Sequence, residues 1–588
     1  MMRPLFAAAA TAGVAALSVA VSFLHCLRGG APPLTGALSP GPPKPQPHLI
    51  LLVLDDVGWG DISLHGSEFP TPHIDALLST GVRFDRMYAS PQCSPTRSSL
   101  MTGKWPWETG MQHWTTLVPG TSAGLPRGIP TLARMLKGAN YSTTAIGKWH
   151  LGTNPESQTP LAVGFDDHYG ILQGQAGYWN VSSESCSRQR CLYPINCASL
   201  RNLVFDGDTL GCKRPVVTPY GPDAAAYDFW DGGRLAPRPD ASTTTAYQER
   251  FRQGLASRDP AKPFFAYYAP QSIHLPLELP DKSEHHLAKC RNVSGGVAAP
   301  NRTVLCAMAS ALDELVGDME AALREQGMWD NTLLFVISDN GGMTAWTDEW
   351  PASGSTNWPL RGGKTTLYEG GTRVVAGLNG GGLPETRVRH VTQLLHAVDI
   401  LPTFAHLAGA QVPAPVSGVN LWPAVLDDRK VRDELPLNIA CDRDLSLFGH
   451  AVPGLWPRGE LTYSAMIDFP WKIIYGHAFR PVVEDKRLNR SRGGRFTLRG
   501  YRYVPPNRSQ GAFAAQLFNL MIDPEEQRDL AAEEPDRVDR LYAKLMGYLE
   551  APSYVPPQFN LPRRANNPRF HNWTWSPYAL GGALPVGA

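Results

Sequence analysis

The chain has almost no excess of charge of either sign. Its 588 residues carry 54 Lys and Arg against 53 Asp and Glu, so no global field draws it to nucleic acid or to a membrane surface, and electrostatic recognition has to be local. It also lacks an internal repeat and a heptad array, which excludes solenoids and coiled coils. Only one long apolar run is present, the uncharged stretch from Leu5 to Leu24 behind Arg3. That is the layout of a secretory signal, although its length approaches the ~20 residues that cross a bilayer. Residues 1–28 are therefore read as a cleaved signal peptide, with a retained signal anchor as the alternative. A membrane is a partner only if that segment stays, and nucleic acid is not a partner.

Cysteine is concentrated in one region. Six of the nine (Cys186, Cys191, Cys197, Cys212, Cys290 and Cys306) lie together, as expected if disulfides staple a loop-rich insertion. With Cys26 in the signal and Cys93 set aside, seven remain, so Cys441 or one of the cluster is unpaired or pairs elsewhere. The odd count leaves a disulfide at Cys93 open. Seven N-x-Ser/Thr sequons, at Asn140, Asn180, Asn292, Asn301, Asn489, Asn507 and Asn572, also point to the secretory pathway, with the lysosome, the endoplasmic reticulum or the extracellular space as destination.

At this length one core subdivides. Residues 29–47 are too rich in Pro and Gly for regular structure and read as a linker. From His48, "HLILLVLDD" is an almost continuous apolar run, the signature of a strand buried on both faces of a mostly parallel sheet. "PFFAYYAPQSIH" (263–274) and "NTLLFVISDN" (331–340) behave alike. Between them Val304, Leu305, Leu312, Leu315, Val316, Met319 and Leu323 fall on one helical stripe, with Gly327 placed for a C-terminal cap. Strand, helix and strand make a crossover unit, so residues 48–430 are expected to be an α/β domain with a mostly parallel or mixed sheet between helices. Past residue 430 "YSAMIDFPWKIIYG" and "GAFAAQLFNL" read as strands of an antiparallel sheet, and Val538, Leu541, Leu545 and Leu549 share a helix face. Residues 431–588 are thus expected to form a smaller α+β domain.

The three apolar runs end in Asp55-Asp56, His274 and Asp339-Asn340. Ligands of open α/β sheets bind beyond the carboxyl ends of strands, so these endings are expected to converge; the competing reading is that each Asp merely caps the next turn. Their oxygens are hard ligands suited to Ca²⁺ or Mg²⁺, and two adjacent carboxylates at a buried strand end repel unless a cation lies between them. In "YASPQCSPTRSSLMTGK", Pro95 suits a first helical turn, whose free N–H groups and dipole favour an anion or nucleophile at position 93. Arg97 adds a planar, permanently charged donor. Lys148, His150, His274 and Lys364 supply further cations and proton carriers. An oxygen-rich anion held by a cation and lysines, with histidines for proton transfer, is what hydrolysis of a sulfate or phosphate ester requires.

"CSPTRSSLMTGK" resembles the sulfatase signature C-x-P-x-R followed by S-x-x-x-T-G, and "GKWHLG" resembles the second sulfatase signature. "LLVLDDVGWGD", "FFAYYAPQSIHLPL", "VISDNGG" and "NWPLRGGKTTLYEGGTR" are similar to the remaining catalytic blocks, in family order. The arylsulfatase B-like branch, which holds the N-acetylgalactosamine-4-sulfatases and arylsulfatases I and J, is the nearest match. The resemblance covers residues 46 to 425, and "LFNLMIDPEEQRDLA" is similar to the family's C-terminal block. It implies an alkaline-phosphatase-like fold and oxidation of Cys93 to formylglycine by the formylglycine-generating enzyme. It further implies one Ca²⁺ held by Asp55, Asp56, Asp339, Asn340 and the modified Cys93. Arg97 would stabilise the hydrate, Lys148 and Lys364 would hold the sulfate oxygens, His274 would help to protonate the leaving alcohol, and His150 would release sulfate.

The expected activity is therefore hydrolysis of a sulfate ester, aryl in vitro and on a glycan or glycosaminoglycan in vivo. The seven basic residues from Glu484 to Arg502 (Lys486, Arg487, Arg490, Arg492, Arg495, Arg499 and Arg502) read as a solvated loop or, in the alternative, as a patch that helps to dock such a glycan. The alternatives are a catalytically silent glycan-binding protein on this fold, and a phosphatase or phosphodiesterase of the same superfamily. Against the latter stands Cys93, since those relatives carry Ser or Thr as nucleophile.

Overall fold

The computed structural model describes residues 45–112, 117, 121, 123–154, 156–184, 225–293, 300–344, 353–412, 415–440, 461, 463–476 and 515–556. From Gln46 onward they belong to one unit. The signal segment, Cys186, Cys191, Cys197, Cys212, Cys441, the sequons at Asn489, Asn507 and Asn572, and the basic stretch 484–502 lie outside the described residues. No helix among the described residues is long and apolar enough to cross a membrane.

The strand β1 (His48–Leu54) explains the architecture. Leu49, Leu51 and Val53 enter one apolar cluster while Ile50, Leu52 and Leu54 enter another, so the strand is buried on both faces and each residue contributes roughly 1.5–3 kcal/mol by burial. Around it lies a ten-stranded sheet with β2 (Val82–Phe84), β3 (Ser142–Gly147), β4 (Asp167–Gly170), β5 (Trp230–Asp231), β6 (Arg234–Leu235), β7 (Phe264–Ala269), β8 (Thr332–Ser338), β9 (Ala376–Asn379) and β10 (His390–Val391), in the order β10-β2-β9-β8-β1-β7-β3-β4-β5-β6. The strands β8, β1, β7, β3 and β4 run parallel to one another, and β9 is antiparallel to β8. A mixed sheet of this kind needs helices on both faces.

One face is covered by α1 (Pro72–Thr80), α4 (Thr243–Ser257) and α6 (Pro300–Glu325), with α5 (Ser283–Lys289) outside them; the other by α2 (Cys93–Thr102), α3 (Leu132–Gly138) and α7 (Ile400–Ala408). All seven stripe residues expected on α6 are buried. Gly327 takes φ 64° beyond its end, and Met328 N donates to Leu323 O at 2.9 Å, which closes the helix with the left-handed cap that glycine permits.

A separate antiparallel sheet follows, of β11 (Glu434–Asn438), β12 (Tyr463–Asp468), β13 (Trp471–Gly476) and β14 (Gln516–Asn519), covered by α8 (Pro535–Leu549). Leu541 and Leu545 are buried against it, and Val538 and Leu549 pack at its margin. The same cluster takes in Tyr88, Trp105, Trp107, Leu367 and Tyr368, so the small sheet shares its core with the larger part of the fold. Strand β11, "ELPLN", was not read from the sequence because Pro436 demotes such a run.

Candidate active site

Strands β8, β1, β7 and β3 are neighbours and end at one edge of the sheet. Asp339 and Asn340 follow β8, Asp55 and Asp56 follow β1, His274 lies in the loop beyond β7, and Lys148 and His150 follow β3. Cys93 is the first residue of α2, with Gln92 extended before it, and the first helical hydrogen bond runs from Thr96 N to Gln92 O. The main-chain N–H groups of Cys93 and Ser94 therefore lie ahead of the helical ladder at the positive end of the dipole. Ser94 Oγ donates to His150 O at 3.0 Å, tying α2 to the β3 loop. All ten residues singled out from the sequence converge here. Eight are buried, while the side chains of His274 and Lys364 keep 12% and 10% exposure, which places these two nearest to solvent.

Three carboxylates interlock with three cations. Lys148 Nζ lies 2.9 and 2.8 Å from the two oxygens of Asp55, and Lys364 Nζ lies 2.6 and 2.8 Å from those of Asp56. Arg97 donates from Nε and Nη2 to Asp339 Oδ2 at 3.0 and 2.8 Å, and from Nη1 to Lys148 O and Tyr267 Oη at 3.0 Å each. The strand-end aspartates thus face cations brought by other elements, a strand end (Lys148), a helix (Arg97) and a loop (Lys364).

Burial alone would raise Asp56, but the charges of Lys364 and Lys148 and the hydrogen bond from Lys364 outweigh it and hold the carboxyl below the usual range. Burial pushes the Cys93 thiol up to about 11, against the pull of Lys148 and Lys364. Burial, with the charges of Lys364 and Lys148, lowers His274 to about 3, and burial with Lys148 carries His150 well below its ordinary value. Both histidines are therefore neutral. His150 Nε2 meets Leu117 O at 2.8 Å, which makes it the N–H bearer, and Nδ1 has no partner among the described residues. His274 Nδ1 meets Leu275 O at 2.7 Å, which leaves Nε2 to accept from Lys364 Nζ at 3.1 Å.

The donor set suits a cation. Asp55, Asp56, Cys93 and His274 bring one donor atom each within 4.8 Å of one another. Asn340 donates through Nδ2 to Asp56 Oδ1 at 2.7 Å, while its Oδ1 is buried without a partner among the described residues. A bare amide oxygen beside clustered carboxylates fits an oxygen-preferring divalent ion. Asp339 is engaged through both oxygens as well, since Oδ2 faces Arg97 and Oδ1 accepts from Asp56 N at 3.3 Å.

Strain gathers at the same place. Asp56, His150 and Thr365 have φ of 61°, 58° and 75°, conformations that non-glycine residues hold only when their surroundings enforce them. Asn357 supplies part of that enforcement: its Oδ1 accepts from Gly342 N at 2.8 Å and Trp59 N at 3.3 Å, and its Nδ2 donates to Gly342 O and Gly362 O. It joins the loops after β1 and β8 to the loop that carries Lys364. A Cβ on Gly341 would run into the carbonyl of Gly370, so these loops touch backbone to backbone. Sequence reading missed Asn357 and Tyr267; each stands inside a quoted run, but only long-range contacts mark them out.

The sulfatase family profile, described as Sulfatase, matches residues 47–410. Arylsulfatase J of Mus musculus is 31% identical over 547 residues, covering 91% of this chain and 80% of its own length. Arylsulfatase A of Homo sapiens is 31% identical over 393 residues, with coverage of 65% and 68%. Among solved structures, Ps i-CgsB in complex with k-i-k-neocarrahexaose superposes with a TM-score of 0.64 at 24% identity, covering 90% of this chain and 98% of that one.

Proposed function

The chain belongs to the sulfatase family and is a sulfuric ester hydrolase; we propose that it works through a formylglycine made from Cys93 beside one Ca²⁺, and that its natural substrate is a sulfated glycan. The state of Cys93 carries this reading. The residue is buried and forms no disulfide, and burial pushes its thiol up to about 11, so as a cysteine it would be a neutral thiol and a poor nucleophile. Converted to formylglycine, it would supply a hydrated aldehyde, with one hydroxyl to attack sulfur and a second whose deprotonation would expel sulfate. Asp55, Asp56, Asp339, Asn340 and the modified Cys93 would hold a Ca²⁺, which would supply positive charge to the reacting sulfate.

The protein's own groups do the rest in this reading. Lys148 and Lys364 hold the sulfuryl oxygens, and Arg97 fixes Asp339 and stabilises the hydrate. His274, hydrogen-bonded to Lys364, passes a proton toward the leaving alcohol. The unpartnered Nδ1 of His150 accepts the proton whose removal releases sulfate. The Cys290–Cys306 disulfide and the exposed sequon residues Asn140, Asn180 and Asn292 support maturation in the secretory pathway, where the formylglycine-generating enzyme acts. The glycan substrate is supported by the sulfated-sugar names of relatives such as the N-acetylgalactosamine-6-sulfatase of Homo sapiens, 29% identical over 405 residues.

The test is mass spectrometry of the peptide spanning Cys93, from protein secreted by cells that express the formylglycine-generating enzyme, with p-nitrocatechol sulfate turnover on the same sample. The expected result is the mass of an aldehyde in place of CH₂–SH, with turnover abolished in Cys93→Ala. An unmodified Cys93 in protein that still turns over substrate would overturn the reading.

A further inference from the structure

A second group of metal-ligating side chains lies away from the strand ends, where the short helix α5 packs on α6. His285 Nε2 lies 2.6 Å from Glu314 Oε1, and His286 Nε2 lies 3.9 Å from Glu314 Oε2. One donor atom from each of the three residues falls within 4.8 Å of the others. From these positions we propose that His285, His286 and Glu314 form a site for a Zn²⁺-class ion, with water as fourth ligand, distinct from the strand-end site.

The surroundings of His286 favour a ligand over a simple hydrogen-bonding histidine. Its Nδ1 meets Ser310 Oγ at 3.0 Å; in the tautomer whose Nδ1–H donates to that hydroxyl, Nε2 offers its lone pair to a cation on the side of Glu314, 3.9 Å away. Two imidazoles and one carboxylate select Zn²⁺ over Ca²⁺, which prefers an all-oxygen shell. Bonds of about 2.1 Å at a tetrahedral angle separate two ligand atoms by about 3.4 Å, so the two observed spacings have to close or open by less than an ångström.

The fold holds the two helices in place for this. Cys306, Ser310 and Glu314 follow one another at intervals of four on α6 and so share a face. Cys290, the residue that closes α5, is disulfide-bonded to Cys306. The staple thus anchors α5 two turns from Glu314 and one turn from Ser310. Lys289 Nζ already lies 2.6 Å from Glu314 Oε1; its side chain is 37% exposed, so it can turn to solvent when an ion arrives.

The test is a calorimetric titration of the intact secreted protein with Zn²⁺ in saturating Ca²⁺. The proposal expects one Zn²⁺ per chain that Ca²⁺ does not displace, bound at least ~10-fold more weakly by His285→Gln and by Glu314→Gln, and about 10–100-fold more weakly by Ser310→Ala. Lys289→Ala should bind more tightly, because it removes a competing cation, and p-nitrocatechol sulfate turnover should be unchanged in all four variants. Because His285 is exposed, its substitution tests the site without threatening the fold. Equal Zn²⁺ affinity in wild type and His285→Gln, or no Zn²⁺ uptake by the wild type, would show that the cluster is only an ion-pair network.

Discussion

Arg97 Nη2 lies 2.8 Å from Asp339 Oδ2, and both side chains are fully buried. The remaining edge of the guanidinium is used as well, Nη1 donating to Lys148 O and Tyr267 Oη. A lysine at position 97 keeps the charge but cannot present that planar fork. Arg97→Lys is therefore expected to lower stability by about 1–3 kcal/mol, because buried acceptors lose their donors. Tyr267→Phe, which removes only one acceptor, should cost about 1 kcal/mol. Urea unfolding midpoints of the two variants test the ranking; equal losses would mean that the fork contributes nothing of its own.

Lys364 sits between Asp56 and His274 and keeps some exposure at the mouth of the site. If it holds a sulfuryl oxygen, Lys364→Ala should lower kcat by about 10²–10³, the loss seen when one preorganised donor is removed from a developing charge. Steady-state kinetics with p-nitrocatechol sulfate measure this, and a change confined to KM would place the lysine in ground-state binding instead.

Lys472 on β13 lies 2.9 Å from Glu369 Oε1 and 2.9 Å from Glu526 Oε1, all three fully buried. Glu369 opens a short helical turn, Glu369–Thr372, just after the loop that carries Lys364, so this cluster fastens the end of that loop to the small sheet. Lys472→Met should destabilise the protein by ~3–5 kcal/mol by stranding two carboxylates. Adding Glu526→Gln should return part of that loss, which denaturant melts of the single and double variants will show.

His168 is buried, and that burial lowers its pKa from 6.5 to about 4. In the native state the ring stays neutral while the unfolded chain takes up a proton below about 6.5, so its contribution to stability is complete above that pH and is lost on acidification toward about 4. The loss is on the order of 3 kcal/mol. Thermal melts from pH 7 to pH 4 should therefore fall less steeply in His168→Phe than in wild type. Parallel slopes would mean that His168 opens to solvent before the protein unfolds.

Parts of this were legible before folding because they depend on local patterns. The continuous apolar run of β1 required burial on both faces, the stripe on α6 required a sheet beneath it, and the aspartates at strand ends required one shared edge. What was not legible depends on residues distant in sequence. Pro436 hid β11 because strand membership there is decided by its pairing with β12. Asn357 and Tyr267 carry no local signal, since an amide or a phenol becomes a brace only when three loops or an arginine meet it.

The sequence by itself determined the chemistry of the site, because residue types such as Cys93, Arg97 and Asp55-Asp56 set charge and reactivity wherever they stand, and the order of the blocks set the sheet. Only the tertiary structure decided which lysine faces which aspartate, that Cys93 is buried beside them, and that the small sheet reaches Glu369 through Lys472. Those outcomes depend on distance and burial, which arise only when the strands are side by side.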